Sequence, residues 1–455
     1  MVQFYKSKKP SSGKSNPHAT LASKPLSIDV LDQHANGIAL STKPITIVPR
    51  TLPGEQVSVV RVKGSKKVQH AKLCSVEVAS KIRQRPQCPY YEQCGGCAIQ
   101  HASARDGLNL KLQALTRYIE TQVNVMQSAW LAPILSQIDY DSLEGELGYR
   151  RRVKFAIDAR NEQNVKIGYR KSQSNEVVDI ERCAILSSSL RDKSAAVIAF
   201  LKQFNSLSRV GHLQLTQTHN GVVVDVYLSH SISASQLNAL AKMSDECHVR
   251  VIVSLKQKVL LDQGIEHAEL VIKDYNHVAL ALENNHFIQV NQPVNAKMIA
   301  QAIALLKPAR GQRVHDFFCG IGNFSLALAA GGAQVIGYEV EAKMVEQARI
   351  NAQSNELENV EFNCADLSHP ATLNNLDIRS TDLVLLDPAR AGAQQLCEYF
   401  VKTPVQHILY VSCNSNTLIR DLKILQPRYK VMAIGALDMF PFTQHLESMV
   451  LLTVA

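Results

Sequence analysis

Residues 313–324 run Arg-Val-His-Asp-Phe-Phe-Cys-Gly-Ile-Gly-Asn-Phe, a short strand-like segment that ends in a glycine loop. A strand over Arg313–Phe317 followed by Gly320 and Gly322 predicts a tight turn into a helix. Glycine makes such a turn possible and lets a ligand approach the backbone closely. A Gly-x-Gly loop alone serves packing turns as well as ligand sites, so the surrounding pattern has to decide between them.

Around this loop, strand-like runs alternate with helix-length segments. The strand candidates are Arg313–Phe317, Gln334–Tyr338, Val360–Asn363, Leu383–Leu386, His407–Val411 and Lys430–Ile434. This alternation predicts a doubly wound α/β domain. In such a sheet, ligands bind at the carboxyl ends of the strands, so the residues that follow each strand become the candidate site residues.

Acidic residues stand at three successive strand ends, Asp316, Glu339 and Asp366. The carboxylate after a second strand can accept hydrogen bonds from ribose hydroxyls, which favours a nucleoside cofactor. The set looks like the cofactor edge of a class I S-adenosylmethionine methyltransferase. A nicotinamide-binding Rossmann domain is the competing interpretation, but the full G-x-G-x-x-G pattern is missing.

The next two strand ends carry Asp387-Pro388-Ala389-Arg390 and Cys413. The Asn/Asp-Pro-Pro-Tyr sequence typical of methylation at exocyclic nitrogens is absent, so methylation at carbon is favoured. C5 of uracil is a poor nucleophile, and addition of a thiolate to C6 makes it electron-rich. We therefore predict that Cys413 is the nucleophile, although a cysteine on a strand is otherwise often a small buried apolar residue.

The same chemistry needs a general base to remove the C5 proton after methyl transfer. Glu447 is the candidate, because it lies in a polar segment just before the final apolar run and a desolvated carboxylate can accept a proton near neutral pH. The alternative is a surface glutamate that caps a loop.

A cysteine cluster occurs earlier, with Cys88, Cys94 and Cys97 spaced for one metal centre. Cys183 is the nearest downstream cysteine and is the predicted fourth ligand. Four thiolates suit either zinc or a [4Fe–4S] cluster, and the spacing does not decide between them. The gap of five residues between the first two cysteines departs from the short motif of radical S-adenosylmethionine enzymes.

Charge is concentrated at the front of the chain: residues 1–85 contain 15 Lys and Arg against 4 Asp and Glu, a net +11, whereas the remainder carries −2. A basic module on a nearly neutral body is typical of a polyanion binder, although a solvated lysine-rich tail is the alternative.

Residues 1–22 have the composition of a flexible arm. Short strand runs between Leu26 and Arg83, with turn signals at Asn36-Gly37 and Pro53-Gly54, predict a small OB-like β-barrel.

The middle of the chain gives less information about function. Helical spacing over Ala104–Gln122 places Leu108, Leu112, Leu115 and Ile119 on one face, and residues 145–280 alternate as in a mixed α+β domain. The chain has no apolar run of transmembrane length and no secretory signal, so we expect a cytoplasmic protein with reduced cysteines and no membrane partner.

Taken together, these motifs resemble the bacterial RNA uridine-C5 methyltransferases over almost the whole chain. The segments that carry the resemblance are the four cysteines, Gly148-Tyr-Arg-Arg-Arg, Phe287-Ile-Gln-Val-Asn, the glycine loop, Leu386-Asp-Pro-Ala-Arg, Val411-Ser-Cys-Asn and Asp438-Met-Phe-Pro-Phe-Thr-Gln-His-Leu-Glu. Two departures are Phe442, where His is common, and Asp366, at a position that can hold Asn.

The resemblance implies a multidomain chain: an arm over 1–22, an OB-like TRAM domain over 23–83, a central domain with a [4Fe–4S] cluster over 84–280, and a Rossmann-like class I methyltransferase domain over 281–455. It implies that the cluster ligands are Cys88, Cys94, Cys97 and Cys183, that Cys413 and Glu447 are catalytic, and that the S-adenosylmethionine contacts are Gln289, Phe318, Asn323, Glu339, Asp366 and Asp387.

By the same resemblance, the substrate is a uridine of 23S ribosomal RNA, and the partners include neither DNA nor a membrane. We expect a monomer. The TRAM segment and the cysteine cluster favour ribosomal RNA over tRNA, because the tRNA enzymes of this family lack both. An iron–sulfur redox or radical enzyme and a non-catalytic RNA-binding scaffold are the competing functions.

Overall fold

The computed structural model describes residues 25–140, 147–256, 258–264, 270–283 and 286–455, with backbone alone for residues 61–63. The predicted flexible arm over 1–22 lies outside these residues. Contacts divide the chain into a unit that ends at Arg83 and a unit over Gln84–Ala455. In the described parts of the chain, no helix is both long enough and apolar enough to cross a membrane.

The N-terminal unit is a single six-stranded sheet. Its strands are β1 Leu26–Ser27, β2 Val30–Leu31, β3 Asn36–Ala39, β4 Ile45–Pro49, β5 Gln56–Gly64 and β6 Val68–Val78. Their order is β1-β5-β6-β4-β3-β2, and the β4–β6 pair is parallel. Small and β-branched residues such as Val48, Val57 and Val59 form its core, as the short apolar runs predict.

One predicted turn in this unit is misplaced. Asn36-Gly37 does not form the turn but begins β3, and the chain reverses over the residues just before it. The Asp32 carboxylate determines this arrangement by accepting hydrogen bonds from the backbone N–H groups of His34 and Asn36, each at 2.8 Å. Gly37 is needed for close packing instead, since a Cβ there would lie 2.0 Å from Oγ1 of Thr51.

The middle of the chain contains one helix followed by a mixed region. Its elements are α1 Ala104–Glu120, β7 Arg152–Asp158, β8 Lys166–Arg170, β9 Val177–Asp179, α2 Ser188–Lys202, β10 Val210–Gln217, β11 Val222–Leu228, α3 Ala234–Ala241, α4 Met243–Cys247, β12 Arg250–Leu255, β13 Lys258–Gln263, β14 Val271–Lys273 and β15 Ala279–Ala281.

Seven of these strands form a sheet in the order β13-β12-β11-β10-β7-β8-β9, with β11 and β12 parallel and the other pairs antiparallel. Alternate residues such as Val153, Phe155 and Leu213 point into a core shared with Val197 of α2 and Met243 of α4. The period-2 alternation thus places one face of the sheet against helices. The structure agrees with the predicted mixed α+β composition.

The C-terminal part alternates helices and strands throughout. Its elements are α5 Gln292–Leu306, β16 Arg313–Phe317, α6 Ser325–Ala330, β17 Gln334–Glu339, α7 Ala342–Ser354, β18 Val360–Cys364, α8 Pro370–Asn374, β19 Leu383–Leu386, α9 Gln394–Lys402, β20 His407–Ser412, α10 Ser415–Leu425, β21 Tyr429–Leu437 and β22 Glu447–Val454.

These strands form a sheet in the order β18-β17-β16-β19-β20-β22-β21. The first five are parallel, and β22 is antiparallel to both of its neighbours. The order reverses direction at β16, so the carboxyl ends of β16 and β19 flank a natural ligand crevice. All six predicted strands are present, and β22 is an additional strand inserted between two of them.

Helix α1 belongs to two cores at once. Its buried Leu108 packs in the core of the central sheet, whereas Leu115 and Ile119 pack in a core of the C-terminal sheet. The apolar face predicted from helical spacing is therefore real, and it joins two packing layers within the second unit.

Candidate active site

The sheet register brings Cys413 and Glu447 together. Ser412, the last residue of β20, pairs with Ser448 of the antiparallel strand β22. Cys413 follows Ser412 and Glu447 precedes Ser448, so both leave the same end of neighbouring strands. Cys413 is half-buried, and Asn414 after it caps α10 by accepting a hydrogen bond from the backbone N–H of Asn416 at 3.1 Å. The predicted nucleophile and the predicted base thus lie at the same end of two neighbouring strands.

Glu447 has the surroundings expected of a proton acceptor. It is only 5% exposed, and its Oε2 atom is buried with no hydrogen-bond partner. Burial, followed by the nearby Asp387, raises the pKa of Glu447 to about 8. A surface glutamate capping a loop is excluded by this burial.

Asp387 follows the last residue of β19, and Asp316 is the second-last residue of the neighbouring strand β16. Burial raises the pKa of Asp387 to about 7. Burial is also the largest cause of the rise in the pKa of Asp316 to about 7, with Asp387 and Glu339 contributing. One oxygen of Asp316 accepts a hydrogen bond from the Ser325 hydroxyl, and the other is buried without a partner. A crevice lined by such carboxyl groups suits hydrogen-bond donors or a positive charge.

The glycine loop adopts the conformation that its sequence predicts. Phe318, Gly320 and Gly322 all have positive φ, at 66°, 57° and 98°. The backbone N–H of Gly320 donates to Oε2 of Glu339 at 3.3 Å, which ties the loop to the end of β17. Phe318 is half-buried, and its backbone N–H donates to the Tyr338 carbonyl at 2.8 Å.

Two predicted cofactor contacts come from amides near the glycine loop. Gln289 is buried, and its Oε1 atom has no hydrogen-bond partner. Asn323 exchanges two side-chain hydrogen bonds with Asn295, both 3.0 Å long. Asn295 also donates to Asp274 at 2.7 Å, and Asp274 forms a bidentate ion pair with Arg151 at 2.6 Å for each bond. This buried network fixes the side of the loop that carries Asn323.

Asp366 lies two residues beyond the end of β18 and is exposed. Its Oδ1 accepts hydrogen bonds from the backbone and the hydroxyl of Ser368, which lower the pKa of Asp366. The residue before it, Ala365, donates its backbone N–H to the Glu339 carbonyl at 2.8 Å. This bond holds Asp366 close in space to the end of β17 that carries Glu339.

The four predicted cluster cysteines form one electrostatically coupled group. Burial, and then Cys183, Cys94 and Cys88, raise the pKa of the Cys97 thiol. Burial raises the pKa of Cys183 to about 12, with Cys88 and Cys94 among the further causes. Cys183 is therefore close enough to Cys88 and Cys94 for their charges to affect its pKa, and its role as the fourth ligand stays a prediction.

Hydrogen-bond donors point at these sulfur atoms. Gln100 Nε2 donates to Sγ of Cys97 at 3.2 Å, and the backbone N–H of Gly96 donates to Sγ of Cys94 at 3.3 Å. Among the residues that the structure describes, no group of three or more His, Cys, Asp or Glu side chains has the arrangement needed to hold a metal ion.

Two further residues of the site were not assigned a role from sequence. An Nη2 atom of Arg390 lies 3.3 Å from Nε2 of His445, across the space between the Cys413 turn and the Glu447 strand. Arg390 lies three residues after Asp387, and His445 lies two residues before Glu447. Their adjacency to candidate catalytic residues was the available signal, but the fold is needed to show that they meet.

A family model described as tRNA (Uracil-5-)-methyltransferase matches residues 133–455. The 23S rRNA (uracil(1939)-C(5))-methyltransferase RlmD of Shewanella frigidimarina is 36% identical over 99% of this chain and 99% of its own length. RlmD of Alteromonas mediterranea is 34% identical over 99% of this chain and 92% of its own.

A solved structure is also similar. The Pyrococcus abyssi tRNA (uracil-54, C5)-methyltransferase in complex with S-adenosyl-L-homocysteine superposes with a TM-score of 0.72 and 24% identity, covering 94% of this chain and 99% of the other. At this identity the likeness establishes the fold.

Proposed function

The chain belongs to the tRNA (uracil-5-)-methyltransferase family, and on that premise we propose that it transfers the methyl group of S-adenosylmethionine to C5 of a uracil in 23S ribosomal RNA. Relatives named for uracil 1939 match essentially the whole chain, the N-terminal unit included, which supports that nucleotide as the target. The placement of Cys413 and Glu447 next to the Ser412–Ser448 pair, at the same end of the neighbouring strands β20 and β22, is the observation that carries the proposal.

The chemistry divides between these two residues. The Cys413 thiolate adds to C6 of the uracil, and the electron pair of the C5–C6 bond moves into the enolate. S-adenosylmethionine supplies the electrophilic methyl group, which C5 attacks. Glu447 then takes the proton from C5, the C5–C6 double bond re-forms, and the thiolate leaves. The raised pKa of Glu447, about 8, makes its carboxylate a stronger base than that of an ordinary glutamate, and the ionised form is the one that accepts the C5 proton.

For the cofactor, we propose contacts from Gln289, Phe318, Asn323, Glu339, Asp366 and Asp387. The fit is chemical: unpaired Oε1 of Gln289 needs a donor, and Glu339 presents a carboxylate beside the glycine loop, where ribose hydroxyls can donate to it. Asp387 is buried near Glu447, and a cationic sulfonium bound beside it would favour its ionised form.

The four coupled cysteines support a [4Fe–4S] cluster as the finer assignment of the central site. The N–H donors on Cys94 and Cys97 would stabilise sulfur atoms carrying negative charge. These residues would hold the cluster and fix the loop around it.

The basic N-terminal unit supports RNA binding. Its six-stranded sheet agrees with an OB-like TRAM domain, and the +11 charge of residues 1–85 would attract the phosphate backbone. The target base has to leave its stack to reach Cys413, and these phosphate contacts would offset that cost. Since ribosomal RNA is the substrate, we place the protein in the cytoplasm.

The test uses 23S ribosomal RNA fragments in which uracil is replaced by 5-fluorouracil. Because fluorine cannot leave C5 as a cation, the wild-type enzyme should stop as a covalent, methylated RNA adduct that resists denaturing electrophoresis. Cys413→Ala should bind RNA without forming the adduct, whereas Cys397→Ala, a buried cysteine outside the site, should form it. An adduct that persists in Cys413→Ala refutes the mechanism, and methylation of tRNA instead of 23S RNA refutes the substrate.

A further inference from the structure

The loop that follows β19 is built rigidly onto α10. Nη2 of Arg420 donates to the carbonyl of Ala391 at 2.9 Å, and the backbone N–H of Ala393 donates to Oδ2 of Asp421 at 2.7 Å. Asp421 is fully buried and also accepts a hydrogen bond from the Tyr410 hydroxyl at 2.6 Å. The backbone position of this loop is therefore set by side chains of the helix that begins just after Cys413.

Arg390 lies in this loop and joins the two halves of the proposed catalytic pair. Its carbonyl accepts hydrogen bonds from Nδ2 of Asn414 at 3.0 Å and from Oγ1 of Thr417 at 3.3 Å, so its backbone is bound to the Cys413 turn. Its guanidinium reaches His445, two residues before Glu447. Because a guanidinium has no acceptor, His445 must accept this bond through an unprotonated Nε2 atom.

His445 is itself held on several sides. Its carbonyl accepts a hydrogen bond from Nζ of Lys111 at 3.3 Å, and its backbone N–H donates to Oγ1 of Thr443 at 3.1 Å. The imidazole meets the Phe440 ring edge to face, with centroids 5.9 Å apart. The acceptor for the Arg390 guanidinium is thus in place before any substrate binds.

The charges around Cys413 explain why such a cation is needed. Burial raises the pKa of the Cys413 thiol, and the carboxylates of Glu447 and Asp387 raise it further, whereas Arg390 lowers it. Only the thiolate adds to C6, so both the desolvation and the two acidic neighbours work against the first step. The guanidinium of Arg390 opposes all three, and it stays charged at every working pH.

We infer that Arg390 stabilises the thiolate form of Cys413 and that His445 keeps the guanidinium oriented for this role. The inference rests on the proposed function, in which Cys413 is the nucleophile, and it adds the group that activates this nucleophile. Arg390 acts through Cys413 and is a positioning and electrostatic residue. Lysine at this position would retain the charge but lose the planar geometry of the bond to His445.

The experiment measures thiolate formation directly, with no RNA present. Five full-length proteins are treated with iodoacetamide between pH 7 and pH 11: wild type, Arg390→Gln, Arg390→Lys, His445→Leu and His445→Gln. Alkylation of the Cys413 peptide is followed by mass spectrometry. The control is Arg160→Gln, which removes the same charge from an exposed arginine that is distant in sequence from the site. Thermal unfolding of each variant reports whether it is folded.

In Arg390→Gln, we expect the midpoint of Cys413 alkylation to move up by about one pH unit, a roughly tenfold loss of thiolate at neutral pH. Arg390→Lys should restore part of the shift, His445→Leu should show a smaller shift in the same direction, and His445→Gln should lie nearer to wild type because its amide oxygen can accept the bond. Arg160→Gln should match wild type.

An unchanged midpoint in folded Arg390→Gln would overturn the inference. If Arg390→Gln does not fold, the test uses Arg390→Lys and His445→Leu. Alkylation midpoints equal to wild type in both of these variants would also overturn the inference. The readout is independent of methylation. A shifted midpoint in a protein that never methylates RNA would therefore contradict the proposed function and leave the role of Arg390 intact.

Discussion

Ser412 of β20 lies directly opposite Ser448 of β22 in an antiparallel register. This pairing places Cys413 and Glu447 one residue further along, at the end of the sheet where β16 and β19 also present their polar residues. A slip of one residue in β22 would turn Glu447 to the other face of the sheet, because side chains alternate along a strand. The register of β20 and β22 therefore determines how Cys413 and Glu447 are placed relative to each other.

We predict that Glu447→Gln lowers the methylation rate by roughly 10²–10⁴-fold, since the amide cannot accept the C5 proton. Addition of Cys413 and methyl transfer remain possible, so the covalent adduct should accumulate with ordinary uracil RNA. Labelled S-adenosylmethionine and denaturing electrophoresis measure both effects. Glu346→Gln, at an exposed position on α7, is the control. Turnover of Glu447→Gln near the wild-type rate would remove Glu447 as the base.

The same carboxyl group makes stability depend on pH. In the folded protein Glu447 keeps its proton up to about pH 8, whereas an unfolded glutamate loses it near pH 4. The folded state binds more protons within this window, so its stability is full below about pH 4 and falls as the pH rises to about 8. Asp387 and Asp316, each with a pKa of about 7, act in the same direction.

Glu447→Gln removes one of these titrations. We predict that this variant gains stability relative to wild type as the pH rises from 4.5 to 8.5, by at most about 1.4 kcal/mol for each pH unit. Urea unfolding of the protein without RNA or cofactor measures the difference at both pH values. Glu346→Gln should show no such trend. A constant difference between Glu447→Gln and wild type would mean that Glu447 is ionised throughout.

The sequence predicted the strands of the catalytic sheet well because each is a short apolar run bounded by turn residues. Arg313–Phe317 and Leu383–Leu386 agree with β16 and β19 residue for residue. The run Val450–Val454 was seen as apolar, but its insertion between β20 and β21 could not be read from it. Strand order depends on long-range pairing, which leaves no periodic signal in the chain.

The same limit applies to the site. Cys413 and Glu447 were found because each chemistry-bearing residue follows or begins a strand-like run. The contacts of Arg390 with His445 and of Asn295 with Asn323 were missed, since they join residues from different loops and helices. The sequence around a polar side chain does not indicate which distant residue will be its hydrogen-bond partner. Only the folded chain shows which polar groups meet in a buried site.

For the central site, we predict that the protein isolated without oxygen contains about four iron and four sulfide per chain, as a [4Fe–4S] cluster requires. Cys97→Ser should lose most of both, together with the visible absorption of the cluster. Cys74→Ser, an exposed cysteine of the N-terminal unit, should retain them. Wild type that contains one zinc and no sulfide would show a zinc site instead. Iron retained by Cys97→Ser would contradict the ligand assignment.

Lys111 and Asp438 form a buried ion pair that fixes the segment leading to Glu447. Their side chains are 3% and 1% exposed, and Nζ of Lys111 lies 3.0 Å from Oδ1 of Asp438. The Tyr140 hydroxyl donates to the other oxygen at 2.7 Å. Breaking such a pair leaves one charge buried without its partner, so we predict that Lys111→Met lowers the free energy of unfolding by about 3–5 kcal/mol.

The double variant Lys111→Met with Asp438→Leu separates stability from positioning. Because an apolar pair of similar volume often replaces a buried ion pair without loss, urea unfolding should show much of the stability restored. The bond from Lys111 to the His445 carbonyl stays lost, so methylation should remain slow and the RNA adduct should accumulate as in Glu447→Gln. Lys202→Met, in an exposed pair with Asp179, is the control and should change neither property. If the double variant recovers both stability and the wild-type methylation rate, the prediction is wrong. The hydrogen bond from Lys111 to the His445 carbonyl would then have no effect on the position of Glu447.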